Sequence, residues 1–546
     1  MSQRLSRRGA LKAGGLSAAA AALAACGGDG GGGGDSANGV AYLTPSADDA
    51  TVQTGGVLKL ATATAFGSLD VIESTDPGGF VTQCHGYLHT ISEERGLEPM
   101  VAEKFEQPDN NTFIWTIRKG IKFQNLEPVN GREVTVDDVN YSFQWHNEDP
   151  LIGTPKQTIT QRTDHFGVTG PDTFTLVTKE PYYPALLEFG AIFYPVFPHE
   201  VTEKYGNMKS NLVGCGPFQV KEFTRAQRLV LEKNPGYFIE GRPYIDGMEF
   251  QVITDEATIQ QAFATKRTDM CGGNDHGSLR RDEWRSLGAV VRKLPNFWQG
   301  VILLRCDKPP FNDIRLREVI DFAVDRDDLV ARAEGEAEIS GPIPPSLPRY
   351  ALPKEELEAF YGKPDYADLK AKLAAAGFPD GIKLDLKVMN VAGMDQGAVI
   401  LKEQLAKVGV DLNIVLEELG VHLAQTLFGG NYQIEYGLNW PWGNPDSYLA
   451  SWLTEGAMGV SYTGYSDPVA DDMLGKIRVE FDLEKRTQMI LDAQRWILQQ
   501  HGPMLVMPNS NYYTAWWPWV HGQDYANQVG GTWSMLWQEI WLSQRT

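Results

Sequence analysis

His85 and His89 stand four residues apart, the spacing at which two imidazoles on one helical face can share a metal ion. No nearby carboxylate or cysteine completes a ligand set, so both are expected to pack, and neither a metal nor any other cofactor is expected. The chain has five cysteines. Cys84, Cys215, Cys271 and Cys306 permit three disulfide pairings in an oxidising compartment, and nothing in the sequence chooses among them; buried free thiols are the alternative. Hydrolytic or phosphoryl-transfer chemistry would need a recognisable constellation. No G-x-S-x-G, H-E-x-x-H, C-x-x-C or G-K-[ST] occurs. Some carboxylate pairs are bound to approach each other by chance among 70 acids, so their presence argues nothing for glycoside cleavage. No enzymatic activity is expected.

With 546 residues the chain is too long for one hydrophobic core, and at least two lobes are expected. The formal charge is −21, and loss of the four cations in residues 1–26 would take it to −25. Such a surface is repelled by phosphate backbones, which excludes nucleic acid as a partner class. Arg7 and Arg8 precede an apolar, alanine-rich run that ends at Cys26. A basic start and a short apolar core make a signal peptide, too short for a transmembrane helix. The paired arginines suggest twin-arginine export, although Ala10 stands where that signal carries a large apolar residue, so Sec export stays open. Leu23-Ala24-Ala25-Cys26 resembles a lipobox, in which Cys26 is acylated. Residues 27–54 begin with a glycine run and suit a flexible tether.

The positioning elements are clearest between Val101 and Trp145. Phe113, Trp115 and Ile117 alternate with Ile114, Thr116 and Arg118, the period of a half-buried strand. Lys119-Gly120 breaks it and Ile121-Lys122-Phe123 resumes it, which predicts a hairpin. Thr135 with Asp138 predicts a capped helix whose Val136, Val139 and Phe143 share one face. Farther on, Leu316, Val319, Ile320 and Ala323 keep helical spacing, as do Leu401, Leu405 and Val408 before Gly409. Val410, Leu412, Ile414 and Leu416 alternate as a strand. Helices alternating with strands predict an α/β fold.

The order of these parts resembles a known family. Arg118-Lys119-Gly120-Ile121-Lys122-Phe123 followed by Tyr141-Ser142-Phe143 is similar to the signature of the family 5 extracellular solute-binding proteins. Those proteins feed peptide, nickel, opine and oligosaccharide uptake ABC transporters. Gly214-Cys215-Gly216-Pro217-Phe218 resembles the family's G-T-G-P-[YF] turn, with Cys215 in the threonine position. Glu232 to Tyr237, Ala323-Val324-Asp325-Arg326 and Gly341 to Pro345 match further segments in the family's order. The glycine of the family's A-x-x-x-G-x-x-D stretch is missing at Lys266-Arg267-Thr268-Asp269.

The resemblance implies a bilobed periplasmic-binding-protein-like α/β fold of type II, with an extra subdomain in lobe I. Lobe I would span 55–300, lobe II 301–504, and residues 505–546 would return to lobe I. The two crossings, near residues 300 and 505, would act as the hinge. It implies the substrate-binding component of an ABC uptake transporter, monomeric, lipid-anchored on the extracytoplasmic or periplasmic face. Its partners would be a small-molecule or oligopeptide ligand and a membrane permease. A receptor or chaperone-like surface lipoprotein without transport, and a secreted hydrolase, are the alternative classes.

Asn439 to Tyr448 resembles the family's cleft segment, which ends in [DN]-P-x-x-[FY]. Peptide-binding members place an aspartate four residues before that proline, against the ligand's α-ammonium. Here Pro441 stands there. A peptide amine would lose a charge-assisted hydrogen bond worth roughly 1.5–3 kcal/mol. Trp440 and Trp442 flank the position and offer flat apolar faces suited to sugar rings, aromatic groups or a cation. The expected ligand is therefore not a simple free-amine dipeptide. Trp440, Trp442, Asn444 and Asp446 are the expected wall residues, with Trp298 beside the crossing strand and Cys215 in the glycine turn.

Overall fold

The computed structural model describes residues 52–62, 67–70, 80–92, 96–148, 161–186, 194–272, 276–294, 296–334, 337–391, 394–439, 444–455, 462–509, 511–522 and 537–544. The leader with Arg7, Arg8 and Cys26, and most of the tether, lie outside these residues, as do Trp440, Pro441 and Trp442.

The folded chain opens with β1 (Val57–Thr62). A four-stranded antiparallel sheet follows, built from β2 (Ala102–Glu106), β3 (Thr112–Ile117), β4 (Thr163–Gly170) and β5 (Thr173–Thr178) in the order β2-β3-β5-β4. The helix α1 (Val136–Glu148) packs on it. The chain then returns to β1's sheet through β6 (Phe218–Thr224), β7 (Arg228–Lys233) and β8 (Gly247–Val252), where β8 runs parallel to β1. These two sheets own separate hydrophobic cores. One gathers Leu58, Phe218, Leu231 and Phe250 with Trp516, Trp517 and Trp537 from the end of the chain. The other gathers Phe113, Trp115, Val139, Phe143, Phe174 and Cys215. That second core is the extra subdomain of the first lobe.

The second lobe is built on β9 (Gln299–Leu304), α2 (Ile314–Ala323), β10 (Ile382–Met389), α3 (Met394–Ala406), β11 (Val410–Glu417) and β12 (Ile434–Asn439). After α4 (Pro468–Arg478) and α5 (Leu483–Leu498), β13 (Met504–Val506) completes a five-stranded sheet of order β11-β10-β12-β9-β13. Both faces are covered, so successive residues of β9 enter different cores: Ile302 and Leu304 face α2 and α3, whereas Val301 and Leu303 face the layer holding Trp452 and Ile490. This is why β9 reads as a continuous apolar run. Beyond β13, β14 (Tyr512–Trp516) pairs with Met270–Gly272 and Val290–Leu294. The chain therefore leaves the first lobe just before β9 and re-enters it just after β13.

Most predicted faces appear as buried faces. Leu316, Val319, Ile320 and Ala323 are all fully buried, and Asp313 caps α2 by accepting from the Arg315 N–H. Phe113, Trp115 and Ile117 form the buried side of β3. Three local expectations need correction. Ile121-Lys122-Phe123 does not fold back on β3, whose edges are taken by β2 and β5. It turns at Gly120, with φ +80°, and pairs with the stretch around Glu133, where Phe123 N donates to Arg132 O and Val134 N to Ile121 O. His85 and His89 share no helix: Val81–Cys84 is a single 3-10 turn, and His89 begins a strand. Leu416 keeps the parity of Val410 and Leu412 but is half exposed, because β11 is an edge strand that runs out from under its helical cover.

Candidate functional site

The sheet of the second lobe ends β12 at Asn439, immediately before the expected ligand segment, and Gln299 pairs with Asn439 in register. Trp298, half buried, is therefore set beside the end of β12; its N–H donates to Asn296 Oδ1 at 3.0 Å. On the far side of the segment, Asn444 caps the short helix Pro445–Leu449 by accepting from Ser447 N at 2.9 Å, with Pro445 in the first turn where its missing N–H costs nothing. The Tyr448 hydroxyl donates to Phe297 O at 2.7 Å and ties this helix to the crossing before β9. Both ends of the segment are thus anchored to the crossing. The indoles of Trp440 and Trp442 belong to the undescribed stretch between the anchors.

Asp446 is buried and forms an ion pair with Arg486 of α5, whose side chain has no exposure at all. Arg486 also donates to Ile477 O. The Asp446 carboxylate is thus committed to α5, where it fixes the helix that follows the segment. Asn444 likewise spends its side-chain oxygen on the cap.

Cys215 is packed in the subdomain core, 1% exposed. The turn that carries it lies directly on Cys84 and His85: Gly216 N donates to Cys84 O at 3.0 Å. A Cβ on Gly214 would sit 2.1 Å from Cys84 O, and one on Gly216 2.4 Å from Gln83 O. Only glycine permits that approach. Gln124 bolts the turn down, accepting from Gly214 N at 3.0 Å and donating to Cys84 O at 3.0 Å and Phe218 O at 2.8 Å. Cys84, Cys215, Cys271 and Cys306 are all free thiols. Burial pushes the Cys215 and Cys271 thiols up to about 12 and that of Cys306 to about 11.

The histidine pair is committed to packing. His89 is wholly buried; its Nδ1 accepts from Trp115 Nε1 at 3.1 Å and its Nε2 donates to Leu186 O at 3.0 Å. Burial lowers its pKa to about 4, so it is a neutral imidazole with both nitrogens engaged. Asp138, His199 and Glu200 bring potential ligand atoms within 4.8 Å of one another. Arg132 already occupies the centre of that group, donating to both Asp138 oxygens at 2.6 and 2.8 Å and to both Glu200 oxygens at 2.5 and 2.7 Å. A guanidinium fills the place that a cation would take.

A second polar cluster lies under the sheet and was not foreseen from the sequence. His422 is fully buried between Glu435, at 2.9 Å, and Glu417, at 3.1 Å. Glu417 also binds Lys387 at 2.8 Å and accepts from the Thr426 hydroxyl at 2.5 Å. Glu435 sits on β12, four residues before Asn439, so this network stiffens the strand that leads into residues 440–443. Among the described residues no helix is long and apolar enough to cross a membrane.

Two α/β lobes joined by paired crossings, with an extra subdomain in the first, define a bilobed periplasmic-binding-protein fold. Residues 96–460, well over half the chain, match the Bacterial extracellular solute-binding proteins, family 5, and the chain belongs to that family. It is similar to the dipeptide-binding protein of Escherichia coli, 25% identical over 449 residues that cover 76% of this chain and 81% of that one. Its fold matches a periplasmic binding protein, DppA from Helicobacter pylori in complex with the peptide STSA, with a TM-score of 0.79 and 22% identity, covering 90% of this chain and 99% of that one. AgaA from A.tumefacien R10, in complex with agropinic acid, matches with a TM-score of 0.76 and 19% identity over 90% and 99% of the two chains. The members of this family are solute-binding receptors rather than enzymes.

Proposed function

We propose that this chain captures a peptide-like or other small organic solute between its lobes and hands it to an ABC permease. Family membership, with dipeptide- and oligopeptide-binding proteins among its relatives, carries the transport reading. The double anchoring of the 440–443 segment, through Asn444 and Tyr448 on one side and β12 on the other, supports that segment as the ligand wall. In this reading the modules are the leader 1–26, the tether 27–54, lobe I 55–300, lobe II 301–504 and the return 505–546. The crossings near 300 and 505 are the hinge, and a ligand that contacts both lobes shifts the population toward closure. Export by the Arg7-Arg8 leader and acylation of Cys26 place the monomer on the outer face of a membrane. Replacing Cys26 with Ser should release the protein into the soluble fraction; continued membrane retention would contradict the anchor.

Pro441 argues against an ordinary dipeptide even though named relatives bind one. The test is calorimetric titration of the ligand-free chain with dipeptides, opines and oligosaccharides in parallel. Binding to an opine or oligosaccharide, lost on Trp442→Ala, is expected. Micromolar binding to ordinary dipeptides, unaffected by Trp442→Ala, would overturn this assignment of the pocket.

A further inference from the structure

The lobes touch at a cluster that no ligand role accounts for. From the first lobe, Arg162 and Tyr183 reach the junction between α4 and α5. Arg162 donates to Glu455 at 3.0 Å, while its other nitrogen holds Glu180 at 2.7 Å. Tyr183 N donates to Arg478 O at 2.8 Å, and the Tyr183 ring meets Phe481 edge-on at 5.5 Å. The same ring lies 4.2 Å from the Arg486 guanidinium. Arg478, nearly buried, also pairs with Glu455. Burial pushes the Glu455 carboxyl up, but Arg478 and Arg162 together hold it below the usual carboxylate range.

Arg486 links this contact to the ligand segment. Its partners come from both lobes: Asp446 and the Ile477 carbonyl from the second, the aromatic face from the first. We infer that Tyr183 and Arg162 form an interlobe latch that favours the closed form and holds the Arg486–Asp446 pair, and with it the helix behind the ligand segment, in place. When the lobes part, Arg486 loses its aromatic cover and takes up water, so opening and loosening of the Asp446 helix are coupled. These are positioning residues, acting through Arg486 and Asp446. The inference rests on the two-lobe closure proposed above, but not on which solute is bound.

The test uses the ligand-free chain, unfolded and refolded to strip any solute, so its outcome is independent of whether a ligand has been found. Small-angle scattering gives the mean radius of gyration. Spin-label distances between the exposed positions Lys221→Cys and Lys383→Cys, 62% and 88% exposed in the native chain, give the two populations. Tyr183→Ala should lower the closed-to-open ratio about fivefold, the size of one lost aromatic–cation contact, and raise the radius of gyration. Tyr183→Phe, which keeps the ring, should behave as the native chain. Arg162→Ala should shift the ratio the same way while leaving the thermal midpoint unchanged, which a merely structural role would not do; it carries the test if Tyr183→Ala fails to fold. Native distance distributions in both Tyr183→Ala and Arg162→Ala, or in Arg162→Ala alone where Tyr183→Ala does not fold, would overturn the latch.

Discussion

Asp446 and Arg486 pair with side chains only 6% and 0% exposed, and they join the short helix Pro445–Leu449 to α5, the longest described helix of the second lobe. An ion pair so deep is costly to split, because the surviving partner is left charged in a dry site. Asp446→Ala should therefore lower unfolding stability by about 3–5 kcal/mol, read from urea denaturation of the second lobe's transition. A loss below about 1 kcal/mol, the range of exposed pairs, would contradict the burial of this pair.

The His422 cluster predicts a pH dependence on the alkaline side. Burial pushes the imidazole down, but Glu435 and Glu417 more than offset this, so its folded pKa lies above the ordinary 6.5. The stability it contributes is complete below 6.5 and fades as pH rises through the folded value. Burial raises Glu435 above 4.5, which acts in the same direction. Glu417 acts oppositely: burial raises it, but Lys387 and Thr426 hold it low, so its contribution fails only in acid. The advantage of the native chain over His422→Gln should shrink on the order of 1 kcal/mol between pH 6.5 and 9. Thermal melts across that range check it, and an advantage that grows with pH would contradict the cluster.

The four thiols of the folded part should be unreactive in the native state. Burial raises every one of them, so almost no thiolate is present near pH 8. A chromogenic disulfide reagent should label none of Cys84, Cys215, Cys271 and Cys306 before denaturant is added and all of them afterwards. A Cys84–Cys215 disulfide found by peptide mapping would contradict the free-thiol arrangement.

Gly214→Ala should destabilise the subdomain by roughly 1–3 kcal/mol, since its Cβ would collide with a backbone carbonyl that cannot swing away. Gly120→Ala meets open space but sits at φ +80°, so it tests backbone strain alone and should cost less than a collision. Denaturant midpoints of the two variants separate these causes; equal costs would contradict the close approach at Gly214.

The lobes, the alternation of helices and strands, and the faces of α1, α2 and β3 were legible because burial imposes a period on the sequence. On α5 the same period also carried a signal that was missed: Arg486 shares the inward face with Ile490, Ala493 and Ile497. An arginine on an apolar stripe points to a buried partner, here Asp446. The partner itself was not legible, because forty residues separate the two. The His422 network is hidden for the same reason, its members coming from a π-turn and three strands. Ile121 to Phe123 misled because alternation shows which face is buried but not which strand is adjacent. The β4–β5 hairpin claims that edge of β3 from far along the chain.

Capture without turnover separates a carrier from an enzyme. Native mass spectrometry of the stripped chain, incubated with a mixture of dipeptides, opines and oligosaccharides, tests it most directly. One bound molecule per chain is expected, released on denaturation with its mass unchanged. Turnover of the bound compound, or no adduct with any of the three classes, would contradict it.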